Sequence, residues 1–430
     1  MTEWFNAVTW GVFAALSALN FLVLLYRTER GAGLRPAVLR ALRRVSGRDD
    51  LRWLDWQPLL VAAVIAFACV SAYGILSGQY GCHPPGVSDP IGVLNSGRAF
   101  LAGQNPFYVS DCGGHLEIPY GIAAVLVSAV GSFGGLTGLY VVWGAVALSL
   151  LPLAWLAGGD DRQYITVFVA TSVLLVPLVS SQIDGATNAI VPVTVLLSLY
   201  LAGRSELLAA AVGGFLSTAR FPNLLPILGQ TGSFPRRRYL SFAAGLLVFA
   251  AVTGLCYARW GSDFLGPVFL KQLGRRSFSL NVYGILLFQN WLPSNLVVEG
   301  VQVAATVALV LAVFFLVRSQ VRAVAIVLVG FALLTPFLSF NILVWLLPVA
   351  LAGARARWWL WSVAFVGSIN YDLALNVWAW DDGVTWPSMV FDVVLTGLML
   401  ALFVDLWREE RASRRGAAPP ASDPPTLPTS

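Results

Sequence analysis

The stretch LSFAAGLLVFAAVTGLC, from Leu240 to Cys256, has no charged residue and matches the shorter helices that cross a bilayer. Similar apolar runs recur along the 430-residue chain, which is 57% hydrophobic and 11% charged. A soluble domain carries about a quarter charged residues. The pattern therefore predicts an all-α fold, a polytopic transmembrane helical bundle of roughly 10 to 13 membrane segments with re-entrant half-helices and external loops.

Arginine clusters between the apolar runs predict the orientation of the chain. The segment Arg27–Asp55 is rich in arginine, and later clusters include Arg236-Arg237-Arg238 and the pair Arg318 and Arg322. Short cytoplasmic loops carry an excess of basic residues, so we expect these clusters in the cytoplasm of a multi-pass plasma-membrane protein. The N-terminus then lies outside and the C-terminus inside. The net charge of +5 is explained by this topology and predicts no nucleic-acid partner.

Three segments follow from the same pattern. Residues 1–56 form an additional N-terminal helix and an arginine-rich cytoplasmic loop, and residues 57–406 form the transmembrane domain. Residues 407–430 are first charged and then rich in Pro, Ala and Ser, which predicts a disordered cytoplasmic tail.

Two apolar stretches are too short or too polar for ordinary spans. Ile118–Phe133 is rich in Gly and Ser and either spans the membrane or is re-entrant or interfacial; we prefer the second interpretation because it places every later arginine cluster in the cytoplasm. Leu207–Leu216 and Leu224–Leu228 are separated by Ala219-Arg220-Phe221-Pro222, which predicts two half-helices with Arg220 at the break. Broken helices at membrane depth persist only where they line a cavity or are buried in protein.

The longest polar interruption in the first third of the chain is Ser88–Tyr120, SDPIGVLNSGRAFLAGQNPFYVSDCGGHLEIPY. It contains Asp89 and Arg98, and Asp followed by Pro is typical of a helix start. Cys82 precedes this stretch and Cys112 lies within it. The two cysteines form a disulfide if the loop faces an oxidising exterior, or remain free thiols. Two histidines in the whole chain are too few to predict a metal site.

On the predicted topology, polar residues from five turns lie near one membrane face. They are Asp89 with Arg98; Gln182, Asp184 and Asn188; Arg220; Arg275, Arg276 and Asn281; and Asn341. A carboxylate can take a proton from an acceptor hydroxyl, and cations can stabilise a lipid phosphate as it leaves. This set therefore suits transfer of a sugar from a polyprenyl phosphate whose tail lies in the bilayer.

A string of short motifs in the same order resembles the GT-C class of membrane glycosyltransferases, and family 87 in particular. The motifs are Asp89 with Gly103-Gln104-Asn105-Pro106-Phe107, Ile118-Pro119-Tyr120, Ser181–Asn188, Gly213–Pro222, Ser277–Asn281 and Thr335–Asn341. Arg220 stands where the family has a lysine, and Asn341 stands where it has a histidine. The resemblance extends from about residue 58 to residue 406.

The resemblance implies a GT-C-like catalytic domain and an inverting hexosyl transfer with no metal or other cofactor, with Asp89 as general base. Asn105 joins the substrate-binding residues. The donor would be a polyprenyl-phosphate sugar, most naturally mannose, and the acceptor an envelope glycolipid, glycan or protein. Oligomeric state is not indicated.

Simpler interpretations stay open for each residue and for the whole chain. Asp89 can be a solvated acid that starts a helix, and Arg220 can extend from the bilayer to water. Gln182, Asp184 and Asn188 can cap the helix that follows them. A lipid or sugar transporter or flippase, and a non-catalytic relative of the glycosyltransferases, are the alternative functions.

Overall fold

The computed structural model describes residues 89–111, 114–158, 189–270, 286, 296–335, 340–354, 361, 364–365 and 386–416. Of these residues 84% are helical, which confirms the predicted helical character. The predicted N-terminal helix, the arginine-rich loop after it and the segment 370–385 lie outside the described residues.

The helices follow one another in chain order and are numbered here as they occur. They are α1 (Asp89–Leu101), α2 (Ile122–Ser132), α3 (Gly135–Leu148), α4 (Leu150–Gly158), α5 (Ile190–Ala202), α6 (Glu206–Ser217), α7 (Leu224–Thr231), α8 (Arg238–Trp260), α9 (Ser262–Leu265), α10 (Leu296–Leu316), α11 (Gln320–Leu334), α12 (Phe340–Gly353) and α13 (Trp386–Gly416). A 3₁₀ turn at Phe221–Asn223 precedes α7, and a π-helical turn at Gly266–Leu270 follows α9.

One hairpin departs from the all-α expectation. Strands β1 (Tyr108–Asp111) and β2 (Gly114–Glu117) pair antiparallel, with Val109 opposite Leu116. Val109 is buried while Tyr108 is exposed, the alternation that a strand with one covered face requires. The described part of the expected external loop is therefore a helix followed by a hairpin, and α1 begins at the Asp89-Pro90 pair as predicted.

Among the described residues, two helices are long and apolar enough to cross a membrane, namely Arg238–Trp260 and Val297–Leu316. Their best 18-residue windows have mean hydropathies of 2.0 and 2.2, yet only 22% and 17% of those windows are buried. Shorter apolar helices of the described part, such as α5 and α11, have 10 to 17 residues. The structure thus gives two candidate spans, and the larger number of segments stays a prediction.

The largest hydrophobic core surrounds α11. Its side chains from Ala323 to Val329 are buried, and α7, α10, α12 and α13 pack around it. On the other side of α7, α6 packs closely against α8, where a Cβ on Gly214 would overlap the carbonyl oxygen of Gly245. Small residues let two helix backbones approach in this way.

A second, smaller packing unit contains α1, α2 and α3. A Cβ on Gly97 of α1 would lie 2.6 Å from the backbone carbonyl of Ser128 on α2. The Trp143 indole nitrogen of α3 donates to the Ser128 hydroxyl over 3.3 Å, and Trp143 is fully buried. The stretch interpreted as re-entrant is therefore the short helix α2, paired with α3; its depth in a membrane stays a prediction.

The predicted break between two short helices is confirmed at the backbone level, and their place within a membrane stays a prediction. Helix α6 ends at Ser217, Arg220 is in an extended conformation, and α7 begins at Leu224 after the 3₁₀ turn. Pro222 within the 3₁₀ turn has no backbone N–H to continue α6, which explains why the break falls here.

The C-terminal boundary needs a correction. Helix α13 continues through the charged sequence REERASRR to Gly416, so the chain is helical past Trp407, where the tail was expected to begin. Buried ionic contacts of Glu410 with Arg322 hold this extension against α11. Residues 417–430 lie outside the described part.

Candidate functional site

The break between α6 and α7 is joined to the segment that leads into α2. The Gly121 amide donates to the carbonyl of Ala219 over 2.9 Å. A Cβ on Gly121 would overlap the carbonyl oxygen of Thr218, so only glycine allows this approach. Two motifs that are distant in sequence, Ile118-Pro119-Tyr120 and the Arg220 break, therefore meet in the fold.

Arg220 lies at the centre of this junction. Its guanidinium carbon is 4.4 Å from the centroid of the Tyr120 ring, a cation–π contact. Arg220 is half-buried, its Nε is buried without a hydrogen-bond partner, and it forms no ion pair within the described part of the chain. Its positive charge therefore contacts an aromatic ring, and no described carboxylate pairs with it.

Asn223 follows Arg220 by one 3₁₀ turn. Its backbone amide donates to the Arg220 carbonyl over 2.9 Å, and the residue is fully buried. Neither the side-chain nitrogen nor the oxygen of Asn223 has a hydrogen-bond partner. An unbonded buried amide costs about 1–3 kcal/mol, so this residue is placed for a ligand or a water that both donates and accepts.

Asn223 was not identified from the sequence. The signal that could have found it is a polar residue directly after Pro222, inside a predicted helix break.

Helix α1, which begins at Asp89, packs onto the same junction. Val93 and Leu94 of α1 share a buried cluster with Tyr120, with Ala219 beside the break, and with Ile190 at the start of α5. The structure therefore brings together the helix of the predicted base, the predicted phosphate-binding break, and the helix preceded by the predicted Gln182, Asp184 and Asn188.

Asn105 has a different environment. Its side-chain nitrogen donates to Asp263 Oδ2 over 2.9 Å, and its oxygen accepts from the Phe107 amide over 3.0 Å. Phe107 is fully buried, with ring centroids 5.3 Å from Trp260 and 4.9 Å from Phe264. Asn105 therefore links the segment before the hairpin to α9, and Phe107 packs against the end of α8.

The other predicted residues are placed as follows. Arg98 is exposed in the last turn of α1, and Asn341 is in the first turn of α12. Eight predicted residues lie outside the described part: Gln182, Asp184, Asn188, Arg275, Arg276, Asn281, Cys82 and Cys112.

An aromatic surface adjoins Arg220. Phe221 is 37% exposed, and its ring centroid lies 6.1 Å from Phe249 and 5.7 Å from Phe269. Phe249 belongs to α8, one of the two candidate spans. Adjacent residues at the break therefore present a cation and an apolar ring, which together suit an amphipathic ligand.

Asp392 is a second candidate functional residue that was not identified from the sequence. This acid is fully buried in α13, within an otherwise apolar run. An acid in such a run is a functional candidate in a membrane protein, and its position could have been noted from the sequence FDVVL.

No protein-family model matches the chain, and no curated protein resembles it significantly. The functional interpretation therefore rests on the residues themselves.

Proposed function

We propose that this protein is an integral-membrane glycosyltransferase that moves a hexose, with mannose the first candidate, from a polyprenyl-phosphate donor to an envelope glycolipid, glycan or protein. The observation that carries the proposal is Arg220, a half-buried arginine without an ion pair among described residues, stacked on Tyr120 where two helices break. We place the protein in the plasma membrane as a multi-pass helical bundle, with this site on the external face.

The exposed apolar surface of the two longest helices supports a bilayer location. On α8, Leu247 and Leu255 are 67% and 71% exposed; on α10, Val297 and Val301 are 72% and 64% exposed. The core helix of a soluble protein would bury such residues. A helix whose apolar side chains point outward over its whole length suits a lipid environment, and a lipid-linked donor needs its site beside that lipid.

The break offers separate surfaces for the parts of such a donor. The polyprenyl chain would lie along Phe221 and the neighbouring rings, next to the apolar face of α8. The phosphate would pair with Arg220 near the N-terminus of α7, where the helix dipole favours negative charge. Asn223 can both donate to and accept from a sugar hydroxyl, whereas a phosphate would satisfy only its donor.

The reaction would proceed in one displacement. The acceptor hydroxyl oxygen attacks the anomeric carbon, the bond from that carbon to the phosphate oxygen breaks, and polyprenyl phosphate leaves. Asp89 takes the proton of the acceptor hydroxyl. Arg220 stabilises the charge that grows on the leaving phosphate. The anomeric configuration inverts because the acceptor attacks opposite to the leaving group.

The test is transfer from labelled polyprenyl-phosphate mannose by the purified protein in lipid, with crude envelope lipid as acceptor. Wild type should release polyprenyl phosphate and label the acceptor. Asp89→Asn should bind the donor but lower the rate by about 10²–10⁴-fold, the usual contribution of a general base. Arg259→Gln, which changes an exposed arginine of α8, is the matched control and should retain full activity.

Each alternative predicts a distinct outcome in the same preparation. Donor binding without transfer by wild type would identify a non-catalytic relative. Movement of intact labelled donor across the bilayer without hydrolysis or transfer would identify a flippase. An Asp89→Asn variant with full transfer activity would exclude Asp89 as the base.

A further inference from the structure

Helices α6 and α7 each have one end at the Arg220 break. Their other ends lie in a region rich in arginine, here called the basic end. Glu206 at the start of α6 contacts Arg236 and Arg237 before α8, Gln230 of α7 bonds Gln320 of α11, and Arg322 of α11 pairs with Glu410 of α13. These contacts place one set of helix ends together. The arginines of the basic end are Arg204, Arg236, Arg237, Arg238, Arg318, Arg322, Arg408, Arg411, Arg414 and Arg415.

Three of the described carboxylates near this end, Glu206, Asp405 and Glu410, are engaged by other groups. Glu206 accepts the backbone amides of Arg236 and Arg237 over 3.2 and 2.6 Å. Asp405 accepts the Trp361 indole N–H over 3.2 Å. Since the Glu206 bonds are to backbone amides, they pair with neither arginine side chain.

Glu410 has the most contacts of the three, and its approach to Arg322 is an ion pair without hydrogen-bond geometry. It is 1% exposed, lies 2.9 Å from Arg322 Nε and 3.3 Å from Arg414 Nε, and accepts the Arg318 backbone amide over 2.8 Å. Two of the ten guanidinium groups therefore share one carboxylate, which balances one unit of their charge. The exposed ones form no ion pair with any described residue: Arg204, Arg236, Arg237, Arg318, Arg408, Arg411 and Arg415.

On α13 the exposed arginines continue an exposed apolar stripe. Val393, Leu400 and Val404 are 57%, 54% and 38% exposed. They are separated by seven and four positions, which is two turns and one turn of a helix, so they lie on one face. The same spacing leads from Val404 to three arginines on that face, Arg408, Arg411 and Arg415. One helix face thus changes from apolar to basic within a single turn.

The two candidate spans change in the same way at the same end. On α8 the exposed Tyr239 and Leu240 lie next to Arg236 and Arg237; on α10 the exposed Phe315 precedes Arg318. An apolar surface that gives way to aromatic and then basic residues matches the depth profile of a membrane interface. A solvated charged surface would not require its arginines to continue exposed apolar stripes on three helices.

We propose that the basic end binds the anionic headgroups of the phospholipid leaflet that surrounds it, with Arg408, Arg411 and Arg415 of α13 as its main contact. The proposal rests on the bilayer location in the proposed function but not on the sugar-transfer reaction. The partner is a lipid surface, because the same helix faces supply both the apolar contact for acyl chains and the cations for headgroup phosphates.

The test compares the wild type with the triple variant Arg408→Gln/Arg411→Gln/Arg415→Gln. Purified, delipidated protein in neutral detergent is mixed with equal amounts of phosphatidylglycerol and phosphatidylethanolamine, and bound lipids are counted by native mass spectrometry. Each interfacial arginine contributes roughly fivefold to anionic lipid binding. We expect phosphatidylglycerol retention to fall at least about tenfold in the triple variant, with phosphatidylethanolamine retention unchanged.

Two controls separate charge from folding. The triple variant with lysine at the same positions keeps the charge and should retain phosphatidylglycerol; a loss equal to that of the glutamine variant would overturn the proposal. Arg259→Gln changes an exposed arginine at the other end of α8 and should bind as wild type does. Inorganic phosphate up to millimolar concentration should not displace the lipid, because a free anion lacks the acyl contact.

The remaining outcomes are also decisive. Equal phosphatidylglycerol retention by wild type and the glutamine variant would overturn the proposal, as would tighter binding of a short RNA or an acidic peptide than of phosphatidylglycerol vesicles. Flotation with vesicles tests the proposed function separately. Protein that fails to float with any vesicle contradicts the bilayer location, whereas protein that floats without preference for anionic lipid contradicts only this inference.

Discussion

The Arg220 break and the basic end each contain an arginine that is partly removed from water, but the two arginines have different partners. Arg322 lies against a buried carboxylate, so its charge is neutralised inside the fold and stabilises the packing of two helices. Arg220 is similarly removed from water, yet an aromatic ring is its nearest described partner. An arginine with a buried partner serves the structure, and one without such a partner is available to an anionic ligand.

Glu410→Gln should give the largest effect of this comparison. Loss of the carboxylate leaves Arg322 partly buried without its counter-charge, which costs about 3–5 kcal/mol of unfolding free energy. Thermal unfolding in mild detergent should show a clear fall in Tm, while transfer activity per folded molecule stays near that of wild type. Arg411→Gln, an exposed change one residue away, should leave Tm unchanged. An equal effect of both variants would contradict the structural role of Glu410.

Arg220→Gln should affect activity and spare stability. We expect kcat/KM for the polyprenyl-phosphate donor to fall about 10²–10³-fold, the loss caused by removing one electrostatic group from a transition state. Tm should hardly change, because no described ion pair is broken. Arg220→Lys keeps the charge without the planar fork and should retain part of the activity. If Tm falls by as much as in Glu410→Gln, Arg220 has a structural role.

Asn223→Leu should weaken donor binding without lowering the stability of the fold. Replacing an unbonded buried amide by an apolar side chain of similar size should leave stability unchanged or raise it by about 1 kcal/mol. The KM for the donor should rise, because the sugar loses its hydrogen-bonding partner. Thermal unfolding and donor titration of the same preparation measure the two effects. A large fall in Tm would instead indicate that the amide is bonded within the folded protein.

Asn105→Ala should give the smallest effect. It removes the exposed hydrogen bond to Asp263 and the bond from the Phe107 amide, which together contribute about 1 kcal/mol. Asp263→Ala removes only the first of these bonds and should cost less, and the double variant should cost little more than Asn105→Ala alone, because the two changes share the Asn105–Asp263 bond. Unfolding free energies of the three variants measure this. Additive losses would mean that Asn105 and Asp263 act independently.

Much of the helical pattern could be predicted from local sequence. The apolar runs, the start of α1 at Asp89-Pro90, and the break at Arg220-Phe221-Pro222 each depend on neighbouring residues, so composition and a single proline were enough. The hairpin was missed because its strands have only four residues each. The tail boundary was misplaced because REERASRR looks solvated until Arg322 is placed beside Glu410.

The candidate site also has features that the sequence predicts and others that only the structure shows. The sequence by itself determined that Arg220 lies at a helix break and that arginine clusters separate the apolar runs, because both depend on neighbours within a few turns. Only the tertiary structure decided that Tyr120 lies under Arg220, that Asn223 is buried without a partner, and that Arg318 and Glu410, 92 residues apart, are bonded. These contacts join segments distant along the chain, so helix packing determines them, and local propensity carries no information about them.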